Sequence, residues 1–333
     1  MRALPSLSLS VLAVLAVVPG WTGDVRLDLP GRARPTVIVR PVPLDERDPR
    51  RRRLGGLFFL GGVQLSAGNR AFGGYSALAV QGDRFTLLSD GGVLLRFRMG
   101  ADWHVRGAET MPLPAGPGTG WKKSDRDAES LALDPSGDTA WVGFERSNAV
   151  WRYRIAADGA WQPERGRDPA TMANWPENGG AESMARLADG RFVLLSEGER
   201  PPGGRPGRVG LVFAGEPTAQ GAKVFRFTYL PEPGFVPADA VALPDGRLLV
   251  LERAFRFPNT WRNRLAVVPA GAIRPGALAR GRTLARLERP LLSDNFEGVA
   301  VTREGAATTL WLVSDDNQAA WQRTLLLKFR LDG

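Results

Sequence analysis

Carboxylates recur along this 333-residue chain in two columns whose spacing suits a metal ion. The first column holds Ser76, Glu129, Glu182, Asp239 and Glu297; the second holds Asp90, Glu145, Glu197, Glu252 and Asp315. Nine of these ten positions are acidic. A turn signal lies between each pair: Gly82-Asp83, Pro135-Ser136-Gly137-Asp138, Asp189-Gly190, Pro244-Asp245-Gly246 and Glu304-Gly305. Asp-Gly favours a two-residue type I′ turn, because both central residues need positive φ. With Asp189-Gly190 as that turn, residues whose numbers sum to 379 face each other, which sets Glu182 opposite Glu197. The fourth copy sets Asp239 opposite Glu252 by the same symmetry about Asp245-Gly246. Like charges directly opposite repel, so the pattern demands a neutralising partner.

A hard cation with roughly six to eight oxygen ligands meets that demand. Calcium fits best, because its flexible coordination accepts ligands from several repeats. Glu129, Glu182, Asp239 and Glu297 are the leading candidate ligands, followed by Glu145, Glu197, Glu252, Asp90 and Asp315. The competing reading is structural. In it the carboxylates cap backbone amides or pair with arginines such as Arg146 and Arg253, which directly follow Glu145 and Glu252. A bound cation would polarise a phosphoryl oxygen and lower the pKa of a bound water, with an unligated carboxylate as general base. Lys122, Lys123 and Arg126 precede Glu129 and are candidates to hold a substrate phosphate. Other chemistries lack their residues. The chain has no cysteine and one histidine, His104, which excludes thiolate and multi-histidine metal sites within one chain. No G-x-S-x-G, Walker A or H-E-x-x-H pattern appears.

Strands must carry these columns. Each first-column residue opens a short apolar run, such as Ser183–Leu187, and each second-column residue closes one, such as Phe192–Ser196. A third strand follows in Leu94–Phe97, Ala149–Ile155, Leu211–Phe213 and Leu265–Val268. First-strand starts are 53 to 58 residues apart. Repeats of this length, multi-stranded and without an amphipathic helix, define an all-β chain folded as a β-propeller. Five repeats are recognisable, and the unusual N-terminal region leaves five or six blades open. The last copy ends with Thr324–Leu331, so its outer strand should come from Leu57–Leu65, closing the ring. Small residues at Ala79, Ala132, Ala185, Ala242 and Ala300 suit innermost strands crowded near an axis. In a blade the start of the first strand lies beside the end of the second, so both columns should ring one mouth of the central channel.

The chain ends and the composition set the context. Residues 1–20 have the form of a signal peptide: Arg2, an apolar run over Leu7–Val18, and small residues at Val18 and Gly20 for cleavage. The run is too short for a comfortable membrane span. Residues 21–53 form a Pro- and Arg-rich segment and 54–333 the propeller. Export to the periplasm or the medium would give access to calcium. A net charge of +9 attracts anions, and the partner expected is a small anionic substrate. No aromatic–basic interleaving marks a nucleic-acid face.

Four blocks carry a family resemblance: Phe72-Gly73-Gly74-Tyr75-Ser76-Ala77-Leu78, Asp127-Ala128-Glu129-Ser130-Leu131, Asn178-Gly179-Gly180-Ala181-Glu182-Ser183-Met184 and Asn295-Phe296-Glu297-Gly298-Val299. They resemble the blocks of the phytase-like family, named for the esterase-like activity of phytase, over roughly residues 55–331. The resemblance implies an exported propeller with phosphoesterase or esterase activity. Propeller phytases are similar in architecture and use calcium clusters to hold phosphate. The expectation is therefore an exported calcium-binding β-propeller that hydrolyses phosphoesters. A calcium-dependent lactonase or carboxylesterase and a non-catalytic binding propeller are the alternatives.

Overall fold

Short apolar runs separated by Gly, Asp and Pro turns fold here as antiparallel meanders, in a computed structural model that describes residues 31–120, 122–257, 260–319 and 321–332. The signal-peptide assignment lies outside the described residues. Blade I comprises Tyr75–Gln81, Arg84–Ser89, Val93–Met99 and Val105–Pro112. Blade II comprises Ala128–Leu133, Thr139–Phe144, Ala149–Ile155 and Trp161–Arg167. Blade III comprises Ala181–Arg186, Phe192–Ser196, Arg208–Phe213 and Val224–Tyr229, extended by the parallel pair Leu278–Ala279. Blade IV comprises Val236–Ala242, Leu248–Arg256, Thr260–Val268 and Arg282–Leu287. Blade V comprises Phe296–Glu304, Ala307–Ser314 and Thr324–Leu331, completed by Leu57–Ala67. The five first strands touch in cyclic order, which closes a five-bladed propeller. Among the described residues the one α-helix is the single turn Lys123–Arg126.

The ring closes as the sequence requires. Leu57–Ala67 pairs antiparallel with Thr324–Leu331, and Val37–Pro41 adds outside it. The apolar core is divided into five seams, each filled from two neighbouring blades. Leu249, Leu251, Leu312 and Phe329 fill the seam of blades IV and V. Leu87 and Val313 fill that of V and I, and Leu88 and Val142 that of I and II. Trp141 and Phe192 pack edge to face at 4.8 Å between blades II and III. Tyr229 and Val250 pack between III and IV. A blade cannot bury both faces alone, so the seams make the ring cooperative. Ala79, Ala132, Ala185 and Ala300 line a channel of 410 Å³ that opens at the hairpin-turn end. Ala242 also lines it, but Val241 is the residue aligned with the other alanines. His104 precedes the outer strand of blade I and is exposed.

The closing strand is a test of register. Phe59 is 1% exposed and its ring lies 5.4 Å from that of Phe329, whereas Leu60 is bulged out and 38% exposed. Phe59→Ala should cost about 3–5 kcal/mol in a denaturant melt, and Leu60→Ala no more than about 0.5 kcal/mol. Equal losses would mean that the strand is slipped by one residue.

Candidate functional site

The hairpin turns of blades III and IV are one residue longer than the sequence suggests. Gly190 N–H donates to the Leu187 carbonyl at 3.0 Å and Leu187 N–H to the Arg191 carbonyl at 2.8 Å. Gly190 has a φ of 84°. This is a type I turn followed by a left-handed glycine, not a two-residue type I′ turn. Paired residues therefore sum to 378: Ser183 faces Leu195 and Met184 faces Leu194. Glu182 does not face Glu197. It is the unpaired residue of a β-bulge between Ala181 and Ser183. A bulge leaves one residue out of the ladder and re-aims its side chain. Ser76, Glu129 and Glu297 occupy the same bulged position in blades I, II and V. The residues just past the second strands are Asp90, Glu145, Glu197 and Asp315.

Blade IV corrects the column reading by one residue. Its bulged residue is Ala238, and Asp239 pairs with Leu251. Asp239 thus aligns with Ser130 and Ser183 and faces the neighbouring inner strand. Its carboxylate accepts from Ala240 N–H at 2.7 Å and Val299 N–H at 2.8 Å. Ser130 does the same work between blades II and III by donating to the Ala181 carbonyl at 2.9 Å. Glu252 pairs with Pro237 and is fully buried in the seam of blades III and IV. There it accepts from Tyr229 Oη at 2.5 Å and from Arg264 Nη1 at 2.8 Å. The second-column position of blade IV belongs to Arg253. The hairpins of blades III and IV have equal length, Leu187-Ala188-Asp189-Gly190-Arg191 against Leu243-Pro244-Asp245-Gly246-Arg247. Carrying that offset of 56 to both columns gives Ala238 and Arg253.

Arg253 reaches into the acidic end of the inner strands. Its Nη2 lies 2.9 Å from Glu182 Oε1 and 3.1 Å from Glu197 Oε1, and its Nη1 pairs with Glu297. Asn295 supports it, donating to Glu297 Oε1 at 2.7 Å. Burial pulls the Arg253 pKa down, but Glu197, Glu182 and Glu129 outweigh it and hold the guanidinium above its ordinary value. Asp127, Glu129 and Glu145 each offer an oxygen within 4.8 Å of the others, and so do Glu145, Glu182 and Glu197. Glu145 joins the two groups. Around them stand Asp90, Glu297 and Asp315, so eight carboxylates gather with three cations, Lys123, Arg146 and Arg253. The surplus is negative. Burial, then repulsion by Glu182, pushes Glu129 well above the usual carboxylate range. Burial and Glu197 do the same to Glu182. Burial and Asp127 raise Glu145 to about 7, and burial and Asp90 raise Asp315 to about 8.

The three candidate phosphate holders separate. Lys123 Nζ lies 2.5 Å from Asp90 Oδ2 and 4.0 Å from Asp127 Oδ1, at the edge of the cluster. Lys122 is exposed beside it. Arg126 is buried under residues 116–120 against Phe144. Asp127 and Arg253 escaped the column argument. No other blade carries an acid at the place of Asp127, where the aligned residues are Gly74, Gly180, Val236 and Asn295. Asp316 is a clasp: its carboxylate accepts from Gly74 N–H at 2.9 Å and Thr324 Oγ1 at 2.8 Å. All ligand atoms in the cluster are carboxylate oxygens, and Glu182 Oε2 is buried without a hydrogen-bond partner. That donor set fits a hard cation such as calcium.

Residues 70–318 match the model of the phytase-like family, described as esterase-like activity of phytase, and the chain belongs to that family. No curated protein matches the sequence. Among solved structures, the chain is similar to the major allergen Mala s 1 of Malassezia sympodialis, at 11% identity and a TM-score of 0.42, over 78% of this chain and 92% of that one. It is also similar to a putative 6-phosphogluconolactonase from Bacteroides uniformis, at 12% identity and a TM-score of 0.39, over 79% and 76%. A luciferin-regenerating enzyme aligns at 12% identity and a TM-score of 0.42, over 88% and 96%.

The raised carboxyls give a signed pH dependence. Glu145 and Asp315 keep protons in the folded protein that the unfolded chain loses near pH 4. Their contribution is complete below that pH and is lost as pH rises through about 7 and 8. The melting temperature in chelator should therefore fall from pH 5 to pH 8. Arg253→Met, which strips the counter-charge from buried carboxylates, should cost about 3–5 kcal/mol at pH 8 and less at pH 5. A pH-independent loss would show that the acids are neutralised some other way.

Proposed function

We propose that the protein is an exported, calcium-binding propeller that hydrolyses phosphoesters at the acidic cluster. The observation that carries this reading is the pair of oxygen triads sharing Glu145, set among eight carboxylates and three cations. Asp127, Glu129, Glu145, Glu182 and Glu197 would hold the ion, with Asp90, Glu297 and Asp315 in support. Asp239 and Glu252 are not in this set, because their oxygens already have donors in the seams. When bound, calcium supplies the charge that polarises a phosphoryl oxygen and acidifies a water. Asp315 lies outside both triads, which leaves its carboxyl available for proton transfer. Lys122 and Lys123 draw the anionic substrate to the edge of the cluster. Family membership supports an ester hydrolase. A second reading, a non-catalytic binding propeller, is favoured by Arg253, whose guanidinium already supplies one cation to the ring.

A panel of phosphoesters, lactones and carboxylic esters, with and without chelator, tests the reaction. Phosphoester turnover that chelator abolishes is expected. Turnover confined to lactones or carboxylic esters would replace the substrate class, and no turnover with intact calcium binding would leave a binding protein. Glu182→Gln should weaken calcium binding at least about tenfold by calorimetry, since it removes a charged ligand from a site built on charge, while the metal-free melting temperature holds. Mass spectrometry of protein from the native host should find an N-terminus near residue 21. An intact 1–18 segment in the mature protein would refute cleavage.

A further inference from the structure

A buried arginine, Arg126, next in sequence to Asp127, has no part in the reaction proposed above. Residues 114–120 cross over the helical turn Lys123–Arg126 at the seam of blades I and II. Three glycines in that loop leave room for the side chains beneath it. A Cβ on Gly116 would stand 2.1 Å from Arg126 Nη1, one on Gly120 2.4 Å from Arg126 Nη2, and one on Gly118 2.2 Å from Asp125 Oδ1. Arg126 is 7% exposed, and its Nε and Nη1 have no hydrogen-bond partner. A buried charge with unmade hydrogen bonds is costly, and such a group calls for a ligand or a function.

Residues 118–120 are held by one carboxylate, and Tyr153 Oη donates to the Ala115 carbonyl at 2.5 Å just before them. Asp125 Oδ2 accepts from Thr119 N–H, Thr119 Oγ1 and Gly120 N–H, each at 3.0 Å. Gly118 and Thr119 are exposed, so the latch works against water rather than inside a core. Three residues before Arg126, Lys123 already meets Asp90 and Asp127. The turn thus carries one cation turned to the cluster and one sealed beneath a short glycine-rich segment.

We propose that residues 116–120 are a latched cover and that, when it lifts, Arg126 binds one tetrahedral oxyanion at the seam of blades I and II. The ligand is a phosphate, free or as the phosphoryl group of a monoester; a guanidinium fork suits its oxygens. This takes its ligand class from the phosphoester reading but needs no metal. Calorimetry in chelator, with inorganic phosphate in one arm and phenyl phosphate in the other, tests it. The full-length mature protein should bind at least one of them, and preference for one arm identifies the source. Arg126→Gln should weaken that binding at least about tenfold. Thr119→Val changes no charge and removes one latch bond. It should speed amide exchange over residues 114–120 and tighten binding about threefold or more, because a closed cover lowers apparent affinity by the fraction open. If Arg126→Gln does not fold, Arg126→Lys replaces it, with a smaller loss expected because the fork is gone. No binding by the parent protein, equal binding by the Arg126 variant, or faster loop exchange without tighter binding would each overturn the proposal. Phosphate binding that depends on Arg126 in a protein that hydrolyses nothing would keep this site and remove the catalytic reading; the reverse would remove only this site.

Discussion

Neutralising buried negative charge is the constraint on which the functional end of this propeller depends. Four blades aim acids at the space where the inner strands begin, and the fifth aims Arg253. Taking carboxylates out of water is expensive unless each finds a donor or a counter-charge. Arg253 serves Glu182, Glu197 and Glu297 at once, which spreads one cation over acids of its two neighbouring blades. It does not finish the task. Glu145 and Asp315 remain poised to hold protons near neutrality. Protons, a guanidinium and a metal ion are therefore competitors for one set of oxygens.

The backbone creates this situation by a local device used in every blade. Each inner strand opens with a bulge, and the bulged residue is free of the ladder. Polar struts then lock neighbouring inner strands to each other. Ser130 reaches the Ala181 carbonyl and Asp239 the Val299 amide. The Glu252–Arg264–Tyr229 group ties blade III to blade IV without facing the channel. A frame so tied holds the carboxylates close together despite their repulsion, because relaxing them would require opening a seam.

The architecture repeats five times but the chemistry does not. One oxygen triad lies wholly on blade II and the other joins blades II and III, the counter-charge comes from blade IV, and Lys123 closes the edge toward blade I. Ser76 and Ala238 break the acidic column in blades I and IV. An even ring of acids would be symmetric and uniformly repulsive. The broken ring instead has one strongly anionic side, at blades II and III.

Much of this was legible along the chain. Hairpins of near-constant spacing, each with Gly or Asp at its turn, specify a propeller, since a repeated apolar hairpin can bury both faces only by stacking on its neighbours. The last copy lacks an outer strand, so Leu57–Leu65 had to supply it. Register was not legible to one residue. An Asp-Gly pair is compatible with a two-residue turn and with a type I turn plus glycine, and only the cross-strand hydrogen bonds decide between them. The turn type decided only which residues face each other; that Asp239 and Glu252 are seam struts while Ala238 and Arg253 belong to the ring follows from the 56-residue offset between the equal hairpins of blades III and IV, which the sequence already contains. Asp127 and the burial of Arg126 could not be read at all, because neither recurs in another blade. Sequence by itself determined the fold, the five repeats and the end of the inner strands where acids collect, because these follow from patterns repeated along the chain. Tertiary structure alone decided which charges meet, because bulges re-aim single side chains and residues as far apart as Glu182 and Arg253 become neighbours only when the ring is closed.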